Sequence, residues 1–325
     1  METRQLGKNG PTVPVICLGA WPLGGGMGDI PDDQAIATIH ASIEAGVNFI
    51  DTAEGYRTSE SVLGKALKGR RDDVILATKL SGDHSAEHMA SAIENSLRSL
   101  GTDYIDLYQL HGPRPGFPIE ETMANLLKLR DEGKIRYIGV SNFSAEQHTE
   151  ASQIGPVHSS QPRYNMFYRL PEESILPMCL ELGIGVIPHS PLAKGMLTGK
   201  YRPGHVFSSD DERVDKPEFK DDQFNMAYPI VERLTEWASD HARDGAQLAI
   251  AWTLAHPAVT SCIVGAKTPD QAIHNALAGY WRLSSGDMAE IADILGKESL
   301  QIARRTVAKY RDQLGINSQR YRKAL

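Results

Sequence analysis

The sequence predicts an α/β protein folded as a closed (β/α)8 TIM barrel, with a β-hairpin before the first strand and a helical extension after the last. Short apolar runs rich in β-branched residues alternate with longer amphipathic stretches, which favours a parallel sheet. The alternation repeats eight times within 325 residues, which favours one barrel over two doubly wound sheets. We therefore expect residues 1–325 to form a single domain.

A hairpin is predicted ahead of the barrel, because Asn9 and Gly10 form a typical turn pair between two extended pieces. Such a hairpin would close the end of the barrel at which the strands begin. The eight predicted strands then follow at 14–20, 47–53, 74–80, 104–111, 135–142, 159–165, 185–191 and 262–267. Helices are predicted near 32–45, 59–68, 85–99, 119–132, 144–153, 172–182, 229–256 in two pieces, and 269–278.

Two segments break the alternation. Residues 201–228 are rich in Pro, Asp and Ser and are too long for an ordinary connection, so they form either a lid or a disordered insertion. The region from Ser284 onward is predicted to be helical over 287–314. It then ends in a basic tail that contains Arg320, Arg322 and Lys323.

Composition excludes several classes of protein. The net charge of −7 gives no reason to expect a nucleic-acid partner. Cys17, Cys179 and Cys262 lie far apart in apolar surroundings, so we expect buried, reduced thiols rather than disulfides or a zinc site. The amino terminus lacks the apolar core of a signal peptide, and no apolar run approaches the ~20 residues that span a bilayer. We therefore expect a cytoplasmic protein with no membrane partner.

Polar and titratable residues tend to end the apolar runs on their carboxyl-terminal side. Each has an ordinary structural explanation when taken alone, such as a turn cap, a solvent-reaching lysine or a hydrogen-bonded core histidine. Their coincidence at strand ends favours a site, because barrels of this type carry their active sites on that face. These residues are Asp51, Lys79, His111, Ser141, Asn142, His189 and Ser190.

The types of residue in this set suit the protonation of a carbonyl oxygen. Tyr56 follows Asp51 by five residues, and an ammonium such as that of Lys79 would lower the pKa of its phenol from the usual value near ~10. Asp51 would hold Lys79 charged and in place. The imidazole of His111 would orient the carbonyl oxygen by a hydrogen bond.

A carbonyl group gains negative charge only if something delivers an electron pair, and no side chain performs hydride chemistry unaided. A nicotinamide cofactor would do so. The "GGGMGD" stretch at 24–29 lacks the third glycine of a dinucleotide fingerprint, and no P-loop, G-x-S-x-G, H-E-x-x-H or Y-x-x-x-K motif is present. The cofactor would therefore lie across the barrel mouth rather than on a doubly wound sheet.

Several long motifs, in order and over nearly the whole chain, closely resemble those of the aldo-keto reductases. The segment "HSPLAKGMLTGKY" (189–201) is similar to the bacterial branch that also resembles the potassium-channel β subunits. The other matching motifs are "GVNFIDTAEGYRTSESVLG" (46–64), "VILATK" (74–79), "DYIDLYQLH" (103–111), "GKIRYIGVSNF" (133–143) and "VGAKTPDQAIHN" (264–275).

The resemblance implies a catalytic tetrad of Asp51, Tyr56, Lys79 and His111, with Tyr56 as general acid and NADP(H) as cofactor. From their positions in the chain, we expect Trp21, Met27, Tyr56 and His111 to contact a small carbonyl substrate beside the 113–118 loop, with 201–228 and the tail as candidate lids. The alternative for Trp21 is packing in the core. The cofactor contacts that the resemblance implies are Trp21, Asp51, Ser141, Asn142, Gln161, His189, Ser190, Pro191, Leu192, Ala193, Lys194, Lys200, Gly265, Lys267, Gln271 and Asn275.

Three residues depart from the family pattern. His189 stands where an aromatic ring usually stacks on the nicotinamide, His274 replaces a glutamate that contacts adenine, and Gly112 replaces a bulky aromatic at the pocket mouth. Lys267 would pair with the 2′-phosphate that distinguishes NADP from NAD.

We thus expect an NADPH-dependent reductase of an aldehyde, ketone, ketosteroid, keto-sugar or mycotoxin ketone. The alternatives are a cofactor-binding regulatory subunit and a sugar or polyol dehydrogenase that runs in the oxidative direction. A homo-oligomer is possible under all three interpretations.

Overall fold

The computed structural model describes residues 1–296, except for the side chain of Asp221. Residues 285–296 are helical, as predicted for the start of the carboxyl-terminal region. The rest of the predicted helix to residue 314, and the basic tail with Arg320, Arg322 and Lys323, lie outside the described residues.

The predicted hairpin is confirmed. β1 (Thr3–Gln5) and β2 (Thr12–Pro14) pair in antiparallel register, and Asn9 takes the left-handed conformation that the turn requires, with φ of 63°. The backbone N–H of Lys8 donates to the carbonyl of Gly183, just before a barrel strand, at 2.7 Å. The hairpin therefore closes the end at which the strands begin.

All eight predicted barrel strands are confirmed. They run in parallel, in chain order except that the last pairs with the first. The barrel closes through Thr260, whose N–H donates to the carbonyl of Val186 at 2.8 Å. The strands are β3 (Ile16–Gly19), β4 (Phe49–Asp51), β5 (Ile75–Leu80), β6 (Ile105–Leu110), β7 (Ile135–Ser141), β8 (Ser159–Gln161), β9 (Gly185–Val186) and β10 (Cys262–Gly265).

The helices surround the barrel close to their predicted positions. They are α1 (Asp32–Glu44), α2 (Ser59–Ala66), α3 (Ala86–Leu100), α4 (Ile119–Asp131), α5 (Ala145–Ile154), α6 (Ile175–Leu182), α7 (Asp221–Asp240), α8 (Gly245–Ala255) and α9 (Pro269–Ala278). Ser144 caps α5 with a reciprocal capping box, and Thr268 caps α9.

The predicted start of α7 was wrong. The helix begins at Asp221 and carries Pro229 inside it, although proline removes one helical hydrogen bond. Burial of Phe224 and Ala227 against the core accounts for the earlier start, because packing outweighs the local preference of the chain. The irregular connection therefore spans 201–220, with short 3-10 turns at Glu212–Asp215 and Pro217–Phe219.

The barrel interior begins with an apolar layer next to the hairpin. Alternate strand residues point inward and meet hairpin side chains there. This lower layer consists of Leu6, Val13, Cys17, Phe49, Ala77, Leu107, Ile187 and Ile263. The three cysteines are free and buried, as predicted. Within residues 1–296, no helix is long and apolar enough to cross a membrane.

Candidate functional site

A buried ion pair lies above the lower layer. Asp51 ends β4, and its Oδ1 accepts from Lys79 Nζ of the neighbouring strand β5 at 2.5 Å. Lys79 Nζ also donates to the carbonyl oxygen of Thr52 at 2.7 Å. Both charged side chains are almost fully buried, so each needs the other to remain ionised.

The second oxygen of Asp51 is bound by two amides. Oδ2 accepts from Gln109 Nε2 at 2.9 Å and from Gln161 Nε2 at 3.0 Å. Gln109 was missed by the sequence analysis, although a polar residue two places before His111 in an apolar strand shares the inward direction. This network fixes the carboxylate on which Lys79 depends.

Tyr56 lies on the turn after β4, with its hydroxyl above the ion pair. The hydroxyl oxygen is 3.4 Å from Lys79 Nζ and 3.4 Å from His111 Nε2. The Trp21 ring packs edge to face against the phenol, with 4.8 Å between centroids. The four residues predicted as a tetrad are thus brought together, and the hydroxyl lies between a cation and an imidazole.

Ser81, also missed by the sequence analysis, orients the imidazole of His111. Its Oγ lies 2.8 Å from His111 Nδ1 and accepts from the backbone N–H of Gly55 at 3.3 Å. Among residues 1–296, His111 Nδ1 is the acceptor within reach of the Ser81 hydroxyl proton, so we assign the hydroxyl as the donor to Nδ1. That arrangement places the proton of a neutral imidazole on Nε2, facing Tyr56.

The protonation states follow from burial and the ion pair. Burial opposes the charge of Lys79, but the interactions with Asp51 and Tyr56 outweigh burial and raise the pKa of Lys79. Burial and the nearby Lys79 and Arg114 lower the pKa of His111 to about 3. At neutral pH the lysine is therefore charged and this histidine is neutral.

The prediction that Tyr56 is more acidic than a free tyrosine was wrong. Lys79 does lower the pKa of Tyr56, but burial is the larger effect and the pKa is raised overall. A protonated phenol is still the form that a proton donor needs. The ammonium beside it stabilises the phenolate that donation would leave.

A cleft of about 1120 Å³ opens above the tetrad at the carboxyl ends of the strands. Lys79 lies beneath Tyr56, and Ala193 is buried behind the cleft wall, so neither lines it. The predicted residues that do line it are Trp21, Met27, Asp51, Tyr56, His111, Ser141, Asn142, Gln161, His189, Ser190, Pro191, Leu192, Lys194, Lys200, Gly265, Lys267, Gln271 and Asn275.

Amide and hydroxyl groups line the cleft beside the tetrad. Asn142 Nδ2 donates to the carbonyl of His111 at 3.0 Å, and its Oδ1 lies 3.2 Å from His189 Nε2. Ser190 Oγ lies 3.0 Å from His189 Nδ1, so both ring nitrogens have partners. Burial, with nearby Arg163 and Lys194, lowers the pKa of His189 to about 3. This end of the cleft offers neutral donors and acceptors that suit a carboxamide.

The 190–195 segment turns sharply along the cleft, with Ser190, Ala193, Lys194 and Gly195 all at positive φ. Such successive turns form concave backbone sites that suit anions. Lys194 Nζ is 2.6 Å from Glu212 Oε1, which also accepts from Trp21 Nε1 at 2.9 Å. The sequence analysis missed Glu212, which lies in the irregular 201–220 connection.

Basic and amide side chains line the far end of the cleft. Lys267 Nζ donates to the carbonyl oxygen of Met27, and Asn275 Nδ2 donates to that of Gly265. His274, which stands where the family has a glutamate, lies with its Nε2 2.6 Å from Asp244 Oδ2. Lysines along the cleft and neutral amides near the tetrad form a donor set that fits a phosphorylated dinucleotide.

The chain is similar to known proteins over most of its length. The model of the "Aldo/keto reductase family" matches residues 15–295. The chain is 38% identical over 310 residues to Aldo-keto reductase YhdN of Bacillus subtilis, covering 91% of this chain and 94% of the relative. It is 35% identical to a probable voltage-gated potassium channel subunit beta of Oryza sativa, covering 86% and 91%.

Two solved structures share the fold. The glycerol dehydrogenase AKR11B4 from Gluconobacter oxydans superposes with a TM-score of 0.82 at 32% identity, covering 91% of this chain and 95% of its own. The holo form of aldo-keto reductase AKR11C1 from Bacillus halodurans gives 0.76 at 31% identity, covering 90% and 96%. The "Sigma-54, DNA binding domain" model matches residues 283–324, most of which lie beyond the described part of the chain.

Proposed function

Because this chain belongs to the aldo-keto reductase family of oxidoreductases, we propose that it reduces the carbonyl group of an aldehyde or ketone with NADPH, acting as a single barrel domain. The observation that carries the proposal is the hydroxyl of Tyr56, held 3.4 Å from both Lys79 Nζ and His111 Nε2 at the floor of the cleft. These contacts support a proton donor placed for a carbonyl oxygen.

The cofactor would be held along the whole cleft. Its carboxamide would bind Ser141, Asn142 and Gln161 beside His189, and its phosphates would bind the 190–195 segment with Lys194 and Lys200. Gly265, Lys267, Gln271 and Asn275 would hold the adenosine. When bound, NADPH supplies a hydride to the carbonyl carbon. Lys267 favours NADPH over NADH, because an ammonium can pair with the 2′-phosphate.

The residues of this chain supply the proton and stabilise charge. Tyr56 donates its hydroxyl proton to the oxygen as negative charge grows there. Lys79 stabilises the resulting phenolate, and Asp51 keeps Lys79 charged and aimed. His111, neutral with its proton on Nε2, donates a hydrogen bond to the same oxygen. Trp21 and Met27 form the wall that excludes water from the substrate.

Two other functions have specific support. The glycerol dehydrogenase that shares the fold supports a polyol dehydrogenase, since the same residues work in reverse with the phenolate as base. The potassium-channel β subunit relative supports a regulatory, cofactor-binding role. We rank both below carbonyl reduction, because each rests on the name of a single similar protein.

A substrate panel separates these functions. Purified protein with NADPH is mixed with aldehydes, ketones and keto-sugars, and loss of reduced-nicotinamide absorbance is followed. A second set contains NADP⁺ with glycerol and other polyols. We expect turnover of carbonyls at neutral pH. Tight NADPH binding without turnover of any compound would instead support the regulatory role, and turnover of polyols alone would support the dehydrogenase.

A further inference from the structure

Arg114 lies on the loop after β6 and lines the cleft close to the tetrad. Its guanidinium is anchored by two backbone carbonyls: Nε donates to Gly82 at 3.0 Å, and Nη2 donates to Ser81. The side chain is exposed. The positive group is thus fixed in position while part of it still faces the cleft.

Within residues 1–296, Arg114 has no carboxylate partner, because no Asp or Glu oxygen of that part of the chain forms an ion pair with it. Two other basic residues on the cleft wall are paired, Arg213 with Asp211 at 2.6 Å and Lys194 with Glu212 at 2.6 Å. The wall beside the tetrad therefore carries a positive charge that the described part of the protein does not neutralise.

The turn at residues 81–82 binds Arg114 through its carbonyl groups and connects it to the tetrad. Its two N–H groups donate to Glu54 Oε1 at 2.5 and 3.2 Å, while its carbonyls accept from Arg114. Ser81 Oγ meanwhile contacts His111 Nδ1 at 2.8 Å. Arg114 is also among the charges that lower the pKa of His111, as expected for a cation close to the imidazole.

Gly112, two residues before Arg114, leaves open space around its own backbone. A β-carbon added there would meet only the carbonyl oxygen of Ser141, at 4.0 Å. The mouth therefore has room for a group attached to the carbonyl substrate, within reach of an anchored guanidinium that retains unused N–H donors.

We propose that Arg114 determines substrate specificity by binding an anionic group, a carboxylate or a phosphate ester, on the aldehyde or ketone that this site reduces. The inference rests on the proposed carbonyl reduction. A guanidinium binds such oxygens through parallel charge-assisted hydrogen bonds. Because Ser81 and Gly82 already hold the Arg114 side chain, it loses less conformational entropy when the anion binds.

Matched substrate pairs test the inference. 4-Carboxybenzaldehyde is compared with the neutral methyl 4-formylbenzoate, and glyceraldehyde 3-phosphate with glyceraldehyde, all with NADPH. Arg114→Gln should lower kcat/KM for the charged members about 10- to 100-fold, mainly through KM, because one charge-assisted contact is lost. It should leave the neutral members nearly unchanged. Arg114→Lys should fall between, because it keeps the charge but loses the planar fork.

Arg98→Gln is the matched control. It removes the same charge from an exposed arginine on α3 that does not line the cleft, so it should preserve the preference. The two pairs show whether carboxylate or phosphate is preferred. An equal decrease in kcat/KM for the charged and neutral members in Arg114→Gln would overturn the inference. It would mean that Arg114 only stabilises the 81–82 turn. A wild-type enzyme with no preference for either anion would also overturn the inference.

If the wild-type protein reduces no carbonyl, the proposed function fails and binding tests the anion site by itself. Titration calorimetry with terephthalate and its dimethyl ester then compares wild type with Arg114→Gln. Loss of terephthalate binding in the variant would support the site. Equal binding to both proteins, or none to either, would contradict it.

Discussion

The lower layer of the barrel interior is apolar, whereas the layer two residues further along the same strands is polar and charged. Residues two apart on a strand point to the same side, so each strand contributes to both layers. The pairs are Phe49 and Asp51 on β4, Ala77 and Lys79 on β5, and Leu107 and Gln109 on β6.

The difference separates stability from chemistry. The lower layer is sealed by Leu6 and Val13 of the hairpin and stabilises the fold by burying apolar surface, which needs no particular partner. The upper layer opens on the cleft, and each of its groups depends on a specific neighbour. Substitutions in the lower layer should therefore affect folding, and those in the upper layer should affect reactivity as well.

The largest effect is expected from Lys79→Met. It leaves Asp51 buried without its cation, so the free energy of unfolding should fall by about 3–5 kcal/mol, measured by urea denaturation. Carbonyl reduction should also be lost. The double variant Lys79→Met with Asp51→Asn should recover much of the stability but none of the activity. Recovery of activity would show that the lysine charge is not needed.

A substitution in the lower layer should lower stability but leave reactivity in place. Leu107→Ala leaves a cavity, and the free energy of unfolding should fall by about 3 kcal/mol. The kcat of the protein that remains folded should stay close to that of the wild type, because Gln109 above it still binds Asp51. A large loss of kcat without a loss of stability would mean that the two layers are not separable.

The comparison extends to the cleft above the upper layer, where a smaller and more selective effect is expected. Lys267→Ala should raise KM for NADPH about 10-fold, the value of one charge-assisted contact, and change that for NADH little. Steady-state kinetics with both cofactors measures this. Lys200→Ala is a control that removes a cleft lysine nearer the predicted phosphate segment, so it should affect both cofactors alike.

The remaining effect is a change in the pH dependence of stability. The pKa of His111 is about 3 in the fold and near 6.5 when unfolded, so the unfolded state binds more protons between these values. His111 therefore does not lower the free energy of unfolding above pH 6.5, and it lowers this free energy progressively as the pH falls toward 3. Unfolding curves from pH 7 to 4 should depend less on pH in His111→Gln. An unchanged slope would mean that His111 is not held neutral.

Much of the fold and the tetrad was predictable because the signals are local. Apolar runs predicted the positions of the eight strands, and Asp51, Lys79 and His111 each stand at the end of one such run. Ser81 and Glu212 were missed because their significance lies in partners far along the chain: Glu212 meets Trp21 across 191 positions. The pKa of Tyr56 was also missed, since burial depends on the whole packed site.

Tyr56→Phe tests the central claim, that this phenol is the proton donor. The variant keeps the ring that packs against Trp21 and removes only the hydroxyl. With the best carbonyl substrate of the panel, kcat should fall about 10²- to 10⁴-fold, as expected for loss of a general acid. The Kd for NADPH, from fluorescence titration, should remain unchanged. A Tyr56→Phe enzyme that keeps the wild-type kcat would contradict the account.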